Sequence, residues 1–227
     1  VEILEKRAKV LPGANEKIAE LLKAASIWED KVVDPAAAAD TYERVLQLDK
    51  TNMTASLQLE QIYRNAGNWA PLTDLLLARV DFTAEAQQRI EILTSVAEIF
   101  EQNLSDRDGA FVVLQAAFKE DYSNDLVCRE LERLASITGK WSDLLTDYTT
   151  IVQNISDRKA AADLWVKIGR WYGEHLQRPD YGIQSLEKAL ELNPESVSAL
   201  RELSSFHRRA GSWPELSEVL ARIVPLE

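Results

Sequence analysis

Six arginines offer the clearest chemistry in this sequence. Arg129 and Arg201 are separated by 201 − 129 = 72 residues, and Arg64 and Arg208 by 208 − 64 = 144. Arg133 sits four residues beyond Arg129, and Arg170 lies on a further segment of the same kind. A guanidinium presents its N–H donors as a planar fork that can donate to both oxygens of one carboxylate. Rows of such side chains suit a groove that holds acidic segments or C-terminal carboxylates. The competing reading is that Glu29, Asp30, Glu91, Glu98 and Glu101 on neighbouring segments neutralise them. Exposed pairs of that type contribute about 0–1 kcal/mol each. The sequence alone leaves both readings open, and pairing is the simpler.

Little else in the chain offers chemistry. The two histidines, His175 and His207, have no partner constellation, and His207 shares a column with Tyr63 and Ala135, which favours packing. Cys128 is the single cysteine, so no internal disulfide can form, and it reads as a small buried residue. No Cys/His spacing fits zinc. The stretch "SDRDGA" at 105–110 resembles a calcium loop only superficially, because Gly109 comes too early, and it reads better as a helix start. Asn52, Asn103 and Asn154 begin Asn-x-Ser/Thr triplets that read as chance or caps. No catalytic residue, metal site or cofactor is expected, and the chain is not read as an enzyme. A net charge of −11 opposes general nucleic-acid binding, which needs a basic face. No apolar run approaches the roughly 20 residues of a membrane span, so no membrane insertion is expected. The charged start "VEILEKRAKV" is no signal peptide, and a cytoplasmic location is the default expectation.

The elements that position the arginines follow from an internal repeat. Gly67-Asn68-Trp69, Gly139-Lys140-Trp141 and Gly211-Ser212-Trp213 are each 72 residues apart. Set in rows of 72, the apolar positions fall into columns: Leu21, Leu93 and Trp165; Ala25, Ala97 and Gly169; Trp28, Phe100 and Tyr172; Leu59, Leu131 and Leu203; Ile62, Leu134 and Phe206; Leu72, Leu144 and Leu216. Steps of three and four residues are helical, so each row reads as four amphipathic helices, in row 1 near 15–31, 35–48, 52–66 and 69–81. Asp34-Pro35 and Asn52 are start signals. Gly67, Gly139 and Gly211 suit a left-handed helix end, and Trp69, Trp141 and Trp213 are expected to pin the following helix onto the pair just joined. The rows span 13–84, 85–156 and 157–227. Residues 1–12, whose Leu4 and Arg7 align with Leu76 and Arg79, read as the last helix of a preceding row. A piece of a longer array is expected, with ends that associate head to tail.

Row 3 carries a family resemblance. Trp165-x2-Ile168-Gly169-x2-Tyr172, then Gly182, Leu186, Ala189 and Pro194, resembles the tetratricopeptide repeat. The other rows match it loosely, with Leu21, Ala24, Ala25, Trp28, Ala38 and Tyr42 in the same columns of row 1. The resemblance implies an all-α, right-handed α-solenoid of helical hairpins, with the first helix of each hairpin on a concave face. It also implies a scaffold that binds a protein or peptide segment there. The arginines make an acidic segment the expected partner. A regulatory or sensor segment holding a small acidic ligand is the alternative.

Overall fold

The computed structural model describes residues 1–226, and among them there is no strand. Thirteen α-helices follow one another: α1 (Glu2–Val10), α2 (Ala14–Ile27), α3 (Pro35–Leu48), α4 (Met53–Ala66), α5 (Trp69–Val80), α6 (Ala86–Gln102), α7 (Arg107–Glu120), α8 (Asp125–Thr138), α9 (Trp141–Val152), α10 (Arg158–His175), α11 (Pro179–Leu192), α12 (Val197–Ala210) and α13 (Trp213–Ile223). They pair in chain order as hairpins from α2/α3 to α12/α13, with α1 packed on α2. By packing, the chain divides into two compact units, Val1–Asp121 and Tyr122–Glu227. The division falls between the two hairpins of row 2.

Helix starts repeat with the sequence period. Asn52, Asn124 and Ser196 lie in one column, and each side-chain oxygen accepts from the backbone of the first turn that follows, at Ala55, Val127 and Ala199. Such caps satisfy donors that the helix itself leaves unpaired. Asp34 and Asp106 cap α3 and α7 in the same way through Ala37 and Gly109. The "SDRDGA" stretch is therefore a helix start, as its residues imply.

Helix ends close in two ways. Gly67, Gly139 and Gly211 take φ of 67°, 75° and 72°. The next residue in each case, Asn68, Lys140 or Ser212, donates its N–H to the carbonyl five positions back, at Tyr63, Ala135 or His207. The other turn uses no glycine. Val33, Ser105 and Gln177, again 72 apart, take φ of 59°, 56° and 53°. Asp34, Asp106 and Arg178 then donate to Trp28, Phe100 and Tyr172, six positions back, at 2.9, 2.8 and 2.9 Å. The helix expected over 15–31 is divided: α2 ends at Ile27 and continues as a π turn, Trp28–Val32, whereas α6 and α10 run as α-helices to Gln102 and His175 before the same turn.

The apolar columns form the core. Leu21, Leu93 and Trp165 are buried, as are the columns of Leu59, Ile62 and Leu72, while Trp28, Phe100 and Tyr172 are half-buried. In row 3 the first hairpin is unusually close. A Cβ on Gly169 would lie 2.9 Å from the carbonyl oxygen of Gly182, and one on Gly173 2.5 Å from the ring of Phe206. Gly169 and Gly182 thus let α10 and α11 meet at backbone distance, and Gly173 and Gly182 leave room for the Phe206 ring of α12.

The three corner tryptophans are not equivalent. Trp141 is 6 % exposed; His175 stacks on it at 3.7 Å between centroids with 2° between planes, and Trp171 lies 5.5 Å away. Tyr148 meets Trp171 edge-on at 5.1 Å. Trp69 is only half-buried; row 2, which follows it, carries Ile99 and Asn103 where row 3, which follows Trp141, has Trp171 and His175. Trp213 is 65 % exposed. The pin expected at Trp213 does not form, because no described helix packs over that face of α13 as α10 packs over α9.

Replacing Trp141 by Ala removes a buried indole and should cost about 3–5 kcal/mol, whereas Trp213→Ala should stay within about 0.5 kcal/mol of wild type. Urea titration of both variants checks the contrast; equal losses would mean the two corners do the same structural work. Val33 is a β-branched residue in a left-handed conformation, which costs about 1–2 kcal/mol. Val33→Gly gives back roughly half of that through chain entropy and should raise stability by about 0.5–1 kcal/mol, read as a higher urea midpoint at unchanged slope.

Candidate functional site

Every predicted arginine lies on the first helix of a hairpin: Arg64 on α4, Arg129 and Arg133 on α8, Arg170 on α10, Arg201 and Arg208 on α12. Five of the six belong to Tyr122–Glu227, where α10 packs on both α11 and α12. Two charge pairs cross this face. Lys167 of α10 holds Glu132 of α8 at 3.2 Å, and Arg170 of α10 reaches Glu202 of α12 at 4.0 Å. Of the predicted arginines in this unit, Arg170 is the one that these pairs tie to a neighbouring first helix. Arg64 stands in the other unit, where it holds Glu60 at 3.0 Å and donates to the Ser95 hydroxyl of α6 at 3.2 Å.

The arginines that pair do so with carboxylates other than those singled out in the sequence. Arg133 takes Glu130 at 2.8 Å, and Arg129 approaches Asp125 at 3.9 Å. Three- and four-residue spacings on one helix bring these groups together without any tertiary contact. The expected partners are used elsewhere: Glu29 accepts from the Tyr42 hydroxyl, Asp30 from Ser26, Glu91 from Gln87, and Glu101 meets Arg107. The side chain of Arg129 remains 73 % exposed. Arg208 is exposed and has no ion-pair partner among the described residues.

Cys128 is no nucleophile. Its thiol is buried, lies 3.3 Å from the Tyr122 carbonyl, and burial pushes it above its ordinary pKa. His175 is committed to the Trp141 stack. His207 is half-buried and lines a groove of about 510 Å³ with Glu187, Glu191, Glu215, Glu218 and Arg222. Sequence reading missed this acidic groove because its carboxylates come from two different helices, α11 and α13. No group of His, Cys, Asp and Glu among the described residues could hold a metal ion, and no described helix is long and apolar enough to cross a membrane.

One apolar face lacks a cover. Trp141, Tyr148 and Val152 of α9 are buried; their row 3 counterparts Trp213, Leu220 and Val224 are exposed. At the other end Ile3 and Val10 of the α1 segment are exposed as well.

No family model matches this sequence, and no curated protein matches it. Among solved structures it is similar to MamA 41-end from Desulfovibrio magneticus RS-1, with 16% identity over 78% of this chain and 95% of that one and a TM-score of 0.42. BtubC from P. vanneervenii has 14% identity, covering 98% of this chain and 90% of its own, with a TM-score of 0.43. YrrB, a TPR protein with an unusual peptide-binding site, has 16% identity over 81% and 90%, with a TM-score of 0.36. By its own helix pairing, turn spacing and buried columns, the chain is a succession of helical hairpins.

Proposed function

We propose that this chain is a non-catalytic scaffold that binds an acidic segment of a partner protein along the first-helix face of Tyr122–Glu227. The observation that supports it is a set of exposed guanidiniums on successive first helices of a chain that is acidic overall. Arg129 and Arg201 share a column, and Arg208 lacks an ion-pair partner among the described residues. A bound carboxylate gains charge-assisted hydrogen bonds there, and the pair it displaces at Arg129 is a loose one at 3.9 Å. Arg133 and Arg170 flank the row, and Arg64 offers a similar group on α4.

A fluorescent hexaglutamate peptide tests this by anisotropy. Binding should weaken steeply between low and high salt, because exposed charges are screened. Arg129→Ala with Arg201→Ala should weaken it by about tenfold, taking about 0.7 kcal/mol per exposed charge lost, while the thermal midpoint stays within a degree or two. No binding, or equal binding of an uncharged peptide, overturns the proposal.

The uncovered face of α13 favours a second contact, between the α13 end of one copy and the α1 end of another. An array whose two ends differ associates head to tail and stays open. Sedimentation velocity should show mass rising with concentration, and Trp213→Ser with Leu220→Ser should abolish the rise. A wild-type monomer at high concentration contradicts it.

A further inference from the structure

Within Val1–Asp121, the end of α3, the start of α4 and the end of α5 leave a cavity of about 230 Å³. Leu46, Leu75 and Ala78 line it, with Met53 and Phe82, both about half exposed, at the solvent side. Among its polar lining residues, which include Lys50, Thr51 and Thr83, two carry unpartnered buried atoms. Ser56 is 6 % exposed, and its buried Oγ has no hydrogen-bond partner among the described residues. Arg79 has a side chain 13 % exposed; its Nη2 holds Glu60, while its buried Nε has no partner among the described residues. An unpaired buried donor costs about 1–3 kcal/mol, so both groups call for an acceptor.

The charge around the cavity has a definite sign. Glu60 is shared by Arg79 and Arg64, so that cluster keeps one positive charge. Lys50 lines the cavity as a second cation. The carboxylate of Asp49 is turned to Thr51 and Asn52 and does not line it.

The other rows carry different side chains at the two donor positions. Row 2 has Phe118 in the column of Leu46 and Cys128 in that of Ser56; row 3 has Leu200 at the Ser56 position. Phe118 and Leu200 are both fully buried. Arg79 is replaced by Ile151 and Ile223. The two donors thus belong to row 1 alone: the row 3 groove is lined by Leu190, Val219 and Arg222 in the columns of Leu46, Leu75 and Ala78, but has leucine and isoleucine in place of Ser56 and Arg79.

We propose that this cavity binds a small amphipathic carboxylate: an aryl or branched alkyl body seated among Leu46, Leu75 and Phe82, with its carboxylate accepting from Ser56 Oγ and Arg79 Nε. Pockets for drug-sized ligands run to about 300–1,000 Å³, so the occupant is a fragment of roughly ten non-hydrogen atoms. No bond is made or broken, and the site is separate from the arginine face proposed above.

Isothermal titration of the full chain with 3-phenylpropionate and with its amide tests this, backed by ligand-observed NMR. The acid should bind saturably and the amide at least fivefold more weakly. Ser56→Leu and Leu46→Phe, which install the residues of rows 3 and 2, should abolish binding, and Ser56→Ala should weaken it severalfold. Phe82→Ser, at the half-exposed side, should also weaken it severalfold without unfolding the chain, judged by circular dichroism, and decides the matter if a filled variant does not fold. Arg129→Ala with Arg201→Ala should leave it unchanged. Absence of saturable binding, equal affinity for acid and amide, binding that survives in a folded Ser56→Leu variant, or loss in the Arg129/Arg201 variant each overturns the proposal.

Discussion

A helix of fourteen residues whose apolar stripe is covered on one side only cannot stand by itself, and that constraint organises this molecule. Inside a unit, a helix such as α4 or α5 packs on its hairpin partner on one side and on the neighbouring hairpin on the other. Leu59, Ile62, Leu72 and Leu76 of α4 and α5 are buried only because both neighbours are present. The stacking of Trp141 with His175 and Trp171 is the same constraint in aromatic form. Where the second cover is missing, on α13, identical column positions turn outward. Burial here is a property of the neighbour as much as of the residue.

That dependence decides what could be read from the sequence. Helix starts were legible because a cap is a local bargain between one side chain and the amides two or three residues on. Asp34, Asn52 and Asp106 therefore behave as their sequence context implies. Gly67, Gly139 and Gly211 were legible for a similar reason, since left-handed backbone selects glycine. The companion turn at Val33, Ser105 and Gln177 was not, because those residue types carry no left-handed signature. Its conformation is imposed by the bond to the carbonyl six positions back, a feature that appears only once the flanking helices are placed.

The site was less legible than the fold. Columns showed correctly that the arginines share one kind of helix, but not which carboxylates engage them. Partner choice depends on a few ångströms: Glu130 lies one turn from Arg133, whereas Glu98 and Glu101 sit on α6, and Glu101 meets Arg107. The tryptophans failed in the opposite direction. Three identical motifs suggested three identical roles, yet the residues that decide exposure, Ile99 and Asn103 or Trp171 and His175, lie some thirty positions away in sequence.

Period and departure from period carry different information. What repeats, such as the column of Leu72, Leu144 and Leu216, is what stacking requires, and it says little about ligands. What does not repeat is freed from that requirement. Ser56 is the instructive case: the same position holds a thiol bonded to a carbonyl in row 2 and a fully buried leucine in row 3. A hydroxyl without a partner is the least stable of the three choices by packing alone. Arg79, in a column that otherwise holds isoleucine, shows the same disregard for packing on the same cavity. Two unfavourable departures at residues that line one space are better explained by something that fills it than by independent drift, since drift has no reason to place both beside a common void.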